Sequence, residues 1–453
     1  MNDKFKKENQ ISLNIFKNID KLNNEFQKKF DQINLINVFC LELQMYMSSS
    51  VKSKMFKNKK KSRIKFPFVN LCYLNKNKKY NFNKEKDYKF LDIYPSDKYG
   101  NSLKQTITKK INFFNKSNFS YYAIDFMNYQ KKFKKYFKEL NPKKVYFSKI
   151  YFKELSYQLP LLKSFLKRFR IKNKFNNKYY EENFINYIKI FVSNQNYQNK
   201  EFNDNLIIGS NMNIYNRIMS AQYLQNKKNV ISLNHANYSS SIYEAPENDM
   251  GEFAMCNEYL DFGKFRFKKK YIKSNFFTPK IKFVKKKIQN FPFLKSNESK
   301  IKNILYIPNS YNSFRRYGFH RDVDDFDYIK FQKKLFKNEN AIYFKVHPKQ
   351  QFNYNFLNEK KYIKGRLEDK IKNFNLFIID MISQPFFSIA RTNLKILYLN
   401  FNHRKIREDV LRLIKKRAYV FNIDLKNINE KKINFALKKA YNFRILSKEV
   451  VKL

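Results

Sequence analysis

Six glycines are spread over 453 residues. That scarcity leaves no glycine-rich phosphate loop: neither G-x-x-x-x-G-K-[ST] nor G-x-G-x-x-G occurs. P-loop chemistry and dinucleotide redox chemistry are disfavoured accordingly. G-x-S-x-G and H-E-x-x-H are missing as well, and with them the usual signatures of triad hydrolases and zinc proteases. The three cysteines (Cys40, Cys72 and Cys256) lie far apart with no C-x-x-C pair. That spacing argues against a zinc site or a disulfide scaffold and suits a reducing compartment. No apolar run reaches the roughly 18 residues a membrane-spanning helix needs. The first residues, MNDKFKKENQISLNIFKNIDK, lack the apolar core of a secretory signal. The expected location is cytoplasmic, with a basic surface able to rest on the inner membrane face at about 1 kcal/mol per nearby Lys or Arg.

What is abundant is positive charge and aromatic carbon. Lys and Arg number 93 against 38 acids, a formal charge of +55, and 18 % of residues are aromatic. Such a surface attracts polyanions of any kind: nucleic acid, an anionic membrane, a phosphorylated substrate. Lys, Asn, Ile, Phe and Tyr are over-used together, so the plainer reading is compositional drift over a solvated surface. The hydrophobic share, 43 %, is ample for a core, and the length favours two or three domains.

Periodicity divides the chain. Residues 1–118 read as an extension without an assigned role, mixed but mainly helical, with basic low-complexity stretches at 52–65 and 74–89. Residues 119–285 read as a first α/β unit. Its clearest part is a strand at 206–208, a helix with Ile214, Ile218 and Ala221 on one face, and a strand at 230–233. Residues 286–453 read as a second α/β unit. Strands are expected at 303–307, 341–346, 376–379 and 395–400. Helices are expected over DFDYIKFQKKLF, LEDKIKNF, PFFSIART and REDVLRLIKK. Strands alternating with helices predict parallel, doubly wound sheets with right-handed crossovers.

Ligands of such sheets bind beyond the carboxyl ends of the strands. The chemistry-bearing residues fall at those ends. His235 follows the 230–233 strand, Asn309 and Ser310 the 303–307 strand, His347 with Pro348 the 341–346 strand, and Asp380 the 376–379 strand. His403 follows the 395–400 strand. An imidazole can donate to a phosphate or ribose oxygen and can carry a proton at neutral pH, and the proline restricts how His347 is presented. Ser383 and Gln384 open a helix that also contains Ser388, and free N–H groups at a helix start suit an anion. Arg315, Arg316 and Arg321 lie in the loop after the 303–307 strand, where guanidinium forks match phosphate oxygens. His235 or a nearby carboxylate (Glu244, Glu247, Asp249, Glu252) could act as general base on a hydroxyl. Each has a plainer reading: an edge histidine bonded to a carbonyl, an ordinary helix cap, a solvated charge cluster.

Three stretches, YFKVHPKQ (343–350), LFIIDMISQPFFSIA (376–390) followed by KILYLN, and the strand–helix–strand unit ending in LNHAN (233–237), carry a resemblance. Residues 205–415 resemble the two-domain GT-B glycosyltransferases. More narrowly, they resemble the branch that contains CDP-glycerol glycerophosphotransferases and capsule Kdo transferases. The resemblance implies an α/β fold of two Rossmann-like domains facing a cleft. It implies a transferase that moves a sugar or glycerol-phosphate-type group from a nucleotide-activated donor to a surface-polysaccharide hydroxyl in cell-envelope biosynthesis. His347 would contact the donor, Ser383, Gln384 and Ser388 would lie near its phosphates, Asp380 would support the site, and His235 would face the acceptor. It implies no cofactor and no obligatory metal, with a CMP- or CDP-linked donor as the expected substrate. A glycan or glycolipid would be the acceptor partner and an anionic membrane a peripheral one. Two departures stand out: Ala236, where relatives place glycine, and Met381-Ile382, where they place small or polar residues. The alternatives are a basic single-stranded nucleic-acid-binding protein, favoured by charge and aromatics, and an inactive scaffold with the same fold.

Overall fold

The computed structural model describes residues 3–55, 119–122, 149–195, 205–208, 211, 214–233, 241, 249–261, 276, 279–283, 303–308, 325–337, 341–345, 361–363, 367, 369–401, 406–424 and 427–445. In chain order these form α1 (Asp3–Phe30), α2 (Leu35–Met55), β1 (Phe119–Tyr122), β2 (Ile150–Tyr151), α3 (Leu155–Lys172), α4 (Tyr180–Phe191) and β3 (Val192–Ser193). Next come β4 (Asn205–Ile208), α5 (Ile214–Gln225), β5 (Val230–Leu233), β6 (Glu258–Asp261) and β7 (Lys280–Phe283). The remainder is β8 (Ile304–Ile307), α6 (Asp325–Lys337), β9 (Ile342–Lys345), β10 (Tyr362–Ile363), β11 (Leu376–Ile379), α7 (Gln384–Ala390), β12 (Lys395–Asn400), α8 (Glu408–Arg417), β13 (Tyr419–Asn422) and α9 (Glu430–Tyr441).

Two large sheets organise the chain, both parallel throughout and both flanked by helices, as expected of a pair of Rossmann-like units. The first runs β1-β4-β5-β6-β7 and the second β10-β9-β8-β11-β12-β13. Renumbered within its own half, the second order is 3-2-1-4-5-6, the dinucleotide-binding arrangement, whose direction of winding reverses between β8 and β11. A two-stranded parallel sheet, β2 with β3, stands apart.

The centre of the second sheet is buried on both faces because β8 and β11 are apolar at every position. All four residues of β8 and of β11 are buried. One face packs against α6 and α9, with Tyr328, Phe331, Leu335, Ile433 and Leu437 in the shared core. The other packs against α7 and α8, through Phe386, Phe387, Val410 and Ile414. The expected apolar face of α6 is therefore present. The stretch LEDKIKNF, expected to be a helix, forms only a 3₁₀ turn at Ile371–Asn373. Phe374 is already extended, and Asn375 N–H donates to the Asn303 carbonyl at 2.9 Å, so pairing with the neighbouring strand ends the turn at Asn373.

The first sheet rests on a helical layer to which residues 3–55 belong. α1 and α2 share one continuous core with α3, α4 and α5. Residues 34–50 are buried on every side of α2, and a helix apolar all round is one that lies inside a domain. Asn34 caps it, its side-chain oxygen accepting from Ile36 N–H at 2.9 Å and Asn37 N–H at 3.0 Å. Its buried polar groups are tied to neighbours: Tyr46 donates to the Tyr180 carbonyl at 2.6 Å, and Gln44 to the Ser12 carbonyl at 3.0 Å. The deepest tie is an ion pair. Arg217 of α5 donates to a Glu42 carboxylate oxygen, with both side chains wholly buried. Its other donors reach the Val38 carbonyl at 2.7 Å and the Asn211 carbonyl at 2.6 Å.

Cys40 and Cys256 are buried thiols. Burial, the largest cause, pushes the Cys40 thiol up to about 12 from its ordinary 9.0, with Arg217 pulling it back. An unfolded chain would ionise this thiol near 9, whereas the native state keeps the proton. Native stability therefore falls as pH rises from about 9 toward 12. Cys40→Ala is expected to remove about 1 kcal/mol of the decline between about pH 9 and 10, read as the difference in urea midpoints between variant and wild type. Thiol labelling of the native protein at pH 8 should modify at most one cysteine, and all three after denaturation.

The two halves touch beyond β5. The Arg407 N–H, at the start of α8, donates to the Ser241 carbonyl at 3.0 Å. The Arg407 side chain is buried and forks onto Asp409, at 3.1 and 2.6 Å. No described helix is long and apolar enough to cross a membrane.

Candidate functional site

The reversal point of the second sheet is where a parallel α/β fold opens a crevice, because the connections leave β8 and β11 toward opposite faces. Asp380 sits there, directly after β11, 8 % exposed. The parallel register pairs Ile378 with Tyr306 of β8. Residues two apart on a strand share a face, so Asp380 lies on the Tyr306 side.

The contacts follow from that register. Tyr306 donates to Asp380 Oδ2 at 2.7 Å, and Tyr328 of α6 donates to the same oxygen. The two phenol oxygens are 3.1 Å apart, and Gln332 Nε2 donates to the Tyr306 oxygen at 3.3 Å. Gln332 is wholly buried, and its Oε1 has no hydrogen-bond partner among the described residues. Burial first, and then the Asp380 charge, push the Tyr306 hydroxyl well above its ordinary value, so it remains a donor. A buried carboxylate is costly unless hydrogen-bonded, and two phenols on one oxygen supply that bonding. They also fasten β8, β11 and α6 together at the lip of the crevice.

Asp380 is marked in the sequence by its place at a strand end. Tyr306, Tyr328 and Gln332 carry no such mark, although Tyr328 falls on the apolar face of its helix. The available clue is chemical: a tyrosine in an otherwise aliphatic core still has a hydroxyl to satisfy.

Beyond Asp380, Ser383 is the N-cap of α7, half-buried in extended backbone and making no cap hydrogen bond with its side chain. Gln384 begins the helix and Pro385 follows within its first turn. Ser388 is buried at 4 % exposure. The far end of α7 is held by Arg417, which donates to the carbonyls of Ala390 (3.0 Å), Ile389 (3.1 Å), Thr392 (2.7 Å) and Leu394 (2.8 Å). Burial without a carboxylate partner among these contacts pulls the Arg417 guanidinium down to about 9.

His235, Asn309, Ser310, Arg315, Arg316, Arg321, His347 and Pro348 lie outside the described residues, as do His403, Glu244 and Glu247. The strands that precede them are described: β5 leads to His235, β8 to Asn309 and Ser310, and β9, the parallel neighbour of β8, to His347. Glu252, one of the carboxylates considered as a base, is buried and accepts from the Tyr259 hydroxyl. Residues 322–327 contain Asp-x-Asp spacing twice, at Asp322–Asp324 and Asp325–Asp327, so motif content gives metal independence no support. Among the described residues no three His, Cys, Asp or Glu gather as a metal site.

No family model and no curated protein matches the chain. A solved structure to which it is similar is the glycotransferase of kitacinnamycin, at 8 % identity and a TM-score of 0.31, over 69 % of this chain and 79 % of that one. A likeness of that size supports no argument about activity or substrate.

Proposed function

We propose that the crevice between β8 and β11 takes a nucleotide-activated donor and that the protein transfers the activated group to an acceptor hydroxyl. The observation that carries this reading is the 3-2-1-4-5-6 order of the second sheet, with Asp380 fastened at its reversal point. In this reading Asp380 is a positioning residue, because its Oδ2 is occupied by two phenols. His347, two residues beyond β9, contacts the donor's phosphate or ribose. Ser383, Gln384 and Ser388 stand near the phosphates, with Asn309, Ser310, Arg315, Arg316 and Arg321 on the loop after β8. His235, beyond β5, faces the acceptor as general base. Cationic side chains offset the charge of the departing nucleotide. The finer assignments, a CMP- or CDP-linked donor and a surface-glycan acceptor, rest on the resemblance carried by YFKVHPKQ, LFIIDMISQPFFSIA and LNHAN.

The test is a thermal-shift panel of CMP, CDP, UDP, GDP and ADP, with pyrophosphate and a single-stranded oligonucleotide as controls. A ligand that binds only the native state raises the midpoint by mass action, by about 2.7 kcal/mol of stability at a hundredfold excess over Kd. One nucleotide should stabilise beyond pyrophosphate, and His347→Ala should abolish that shift with the unliganded midpoint unchanged. Asp380→Asn should weaken the shift and also lower the unliganded midpoint, because the two phenols would face an amide. A shift from the oligonucleotide alone, lost steeply with salt, would overturn the reading in favour of nucleic-acid binding.

A further inference from the structure

The helical layer carries a surface that the donor crevice does not explain. α3 is buried on one side, through Gln158, Leu162 and Leu166. Its other side is unusual. Tyr157, Leu161 and Ile171 are 68 %, 37 % and 59 % exposed, and they are three of the four large exposed hydrophobics among the described residues. With Ser164 and Arg168 they recur at i, i+4, i+7, i+11 and i+14, a single stripe along the helix. Lys167, Arg168 and Lys172 are exposed along it. An outward helix face mixing Tyr, Leu and Ile with Lys and Arg has the composition of one that lies in a lipid interface.

Beside the stripe is a groove of about 340 Å³ between α1 and α3. Ile11, Ile15, Val51, Phe165 and Phe169 form its apolar part, and Arg168 and Lys172 stand at it one helical turn apart. No carboxylate lines it among the described residues. The volume is at the lower end of the range of about 300–1,000 Å³ that small-ligand sites occupy. The rest of its lining is polar, Asn14, Asn18 and Asn173 beside the two cations, and an apolar side joined to a cationic, hydrogen-bonding side matches one acyl chain next to its phosphate.

We infer that the α1–α3 face seats the protein on an anionic lipid bilayer. The groove holds an acyl chain of one anionic lipid, and Arg168 and Lys172 hold that lipid's phosphate. The stripe Tyr157–Leu161–Ile171 enters the interface beside it. Bilayer seating does not depend on the transferase reading, and its test leaves that reading untouched.

The chain contains no tryptophan, so one introduced tryptophan reports without background. In the full chain, Tyr157→Trp should shift to the blue on vesicles of two parts phosphatidylcholine to one part phosphatidylglycerol, and brominated acyl chains should quench it. Vesicles of phosphatidylcholine alone should do neither. Phe435→Trp is the control, since Phe435 is 51 % exposed on α9 and should not respond. A response from both reporters means general adhesion of a basic protein and overturns the inference; so does a response from neither. A concentration-dependent blue shift without lipid would name a second copy of the chain as the occupant and overturn it as well.

The charge arm separates site from surface. Arg168→Gln with Lys172→Gln should weaken vesicle binding about tenfold or more. The same charge loss at Lys431 and Lys438, exposed on α9, should change it less than about twofold. Equal losses overturn the assignment. Monomeric lysophosphatidylglycerol should raise the wild-type melting midpoint and leave that of Arg168→Gln with Lys172→Gln unmoved. No rise in wild type overturns the acyl groove.

Discussion

Glu42→Ala should cost about 3–5 kcal/mol of stability, because it leaves the Arg217 guanidinium buried without its countercharge. Both side chains are wholly inaccessible, and the second carboxylate oxygen of Glu42 has no hydrogen-bond partner among the described residues. Burial pushes the Glu42 carboxyl upward and Arg217 pulls it back, so the pair exists only as a pair. Replacing both with apolar residues of similar size, Glu42→Leu with Arg217→Met, should recover much of the loss, since no charge then remains to be solvated. Recovery should be incomplete. Arg217 also satisfies the Val38 and Asn211 carbonyls, and each buried acceptor left unpaired costs about 1–3 kcal/mol. Urea midpoints of Glu42→Leu, Arg217→Met and the double variant form the cycle. A double variant no better than the sum of the singles would mean that packing at this point outweighs the charges.

The other large effect is expected at Arg417. Its fork gathers four carbonyls from the end of α7 and the turn into β12, the groups a helix C-terminus leaves without partners. Arg417→Met would keep the volume and take this donor from the Ala390, Thr392 and Leu394 carbonyls, while the Ile389 carbonyl still accepts from the Thr392 N–H and hydroxyl. The loss should be about 3 kcal/mol or more. Arg417→Lys should recover only part of it, because an ammonium cannot reach a fork of acceptors in one plane. α7 begins at Gln384 beside the crevice, so loosening its far end should also weaken whichever nucleotide the thermal-shift panel selects. A destabilised variant with full nucleotide affinity would show that the crevice does not need α7 held at both ends.

Much of the second half is legible from sequence. Its central strands, β8 and β11, are short runs apolar at every residue, bounded by Asn, Pro or Asp. Its α6 repeats Tyr328, Phe331 and Leu335 at helical spacing, and all three are buried. The 367–374 stretch misleads because charged residues among Leu, Ile and Phe mimic a helical period, whereas the backbone is already extended at Phe374 on its way into β11. Residues 1–55 resist a linear reading for another reason. LINVFCLELQMYM has no polar face, so it gives no amphipathic signal, and flanking basic stretches make the whole segment look like an appendage. Polar Asn37, Glu42 and Gln44 are buried there, a pattern that becomes intelligible only once Arg217, 175 residues later, is beside Glu42.

By itself the sequence determined the class: alternating apolar strands and helices, too few glycines for a phosphate loop, and Asp380 at a strand end. These depend on local spacing, which a linear reading preserves. Only the tertiary structure decided strand order, and with it the reversal between β8 and β11 that gives Asp380 its significance. Only it brought Tyr306 and Tyr328 to one carboxylate oxygen, and Arg217 to Glu42. Register between distant strands and the pairing of buried charges are set by long-range packing, where each partner's meaning depends on a residue the chain reaches much later.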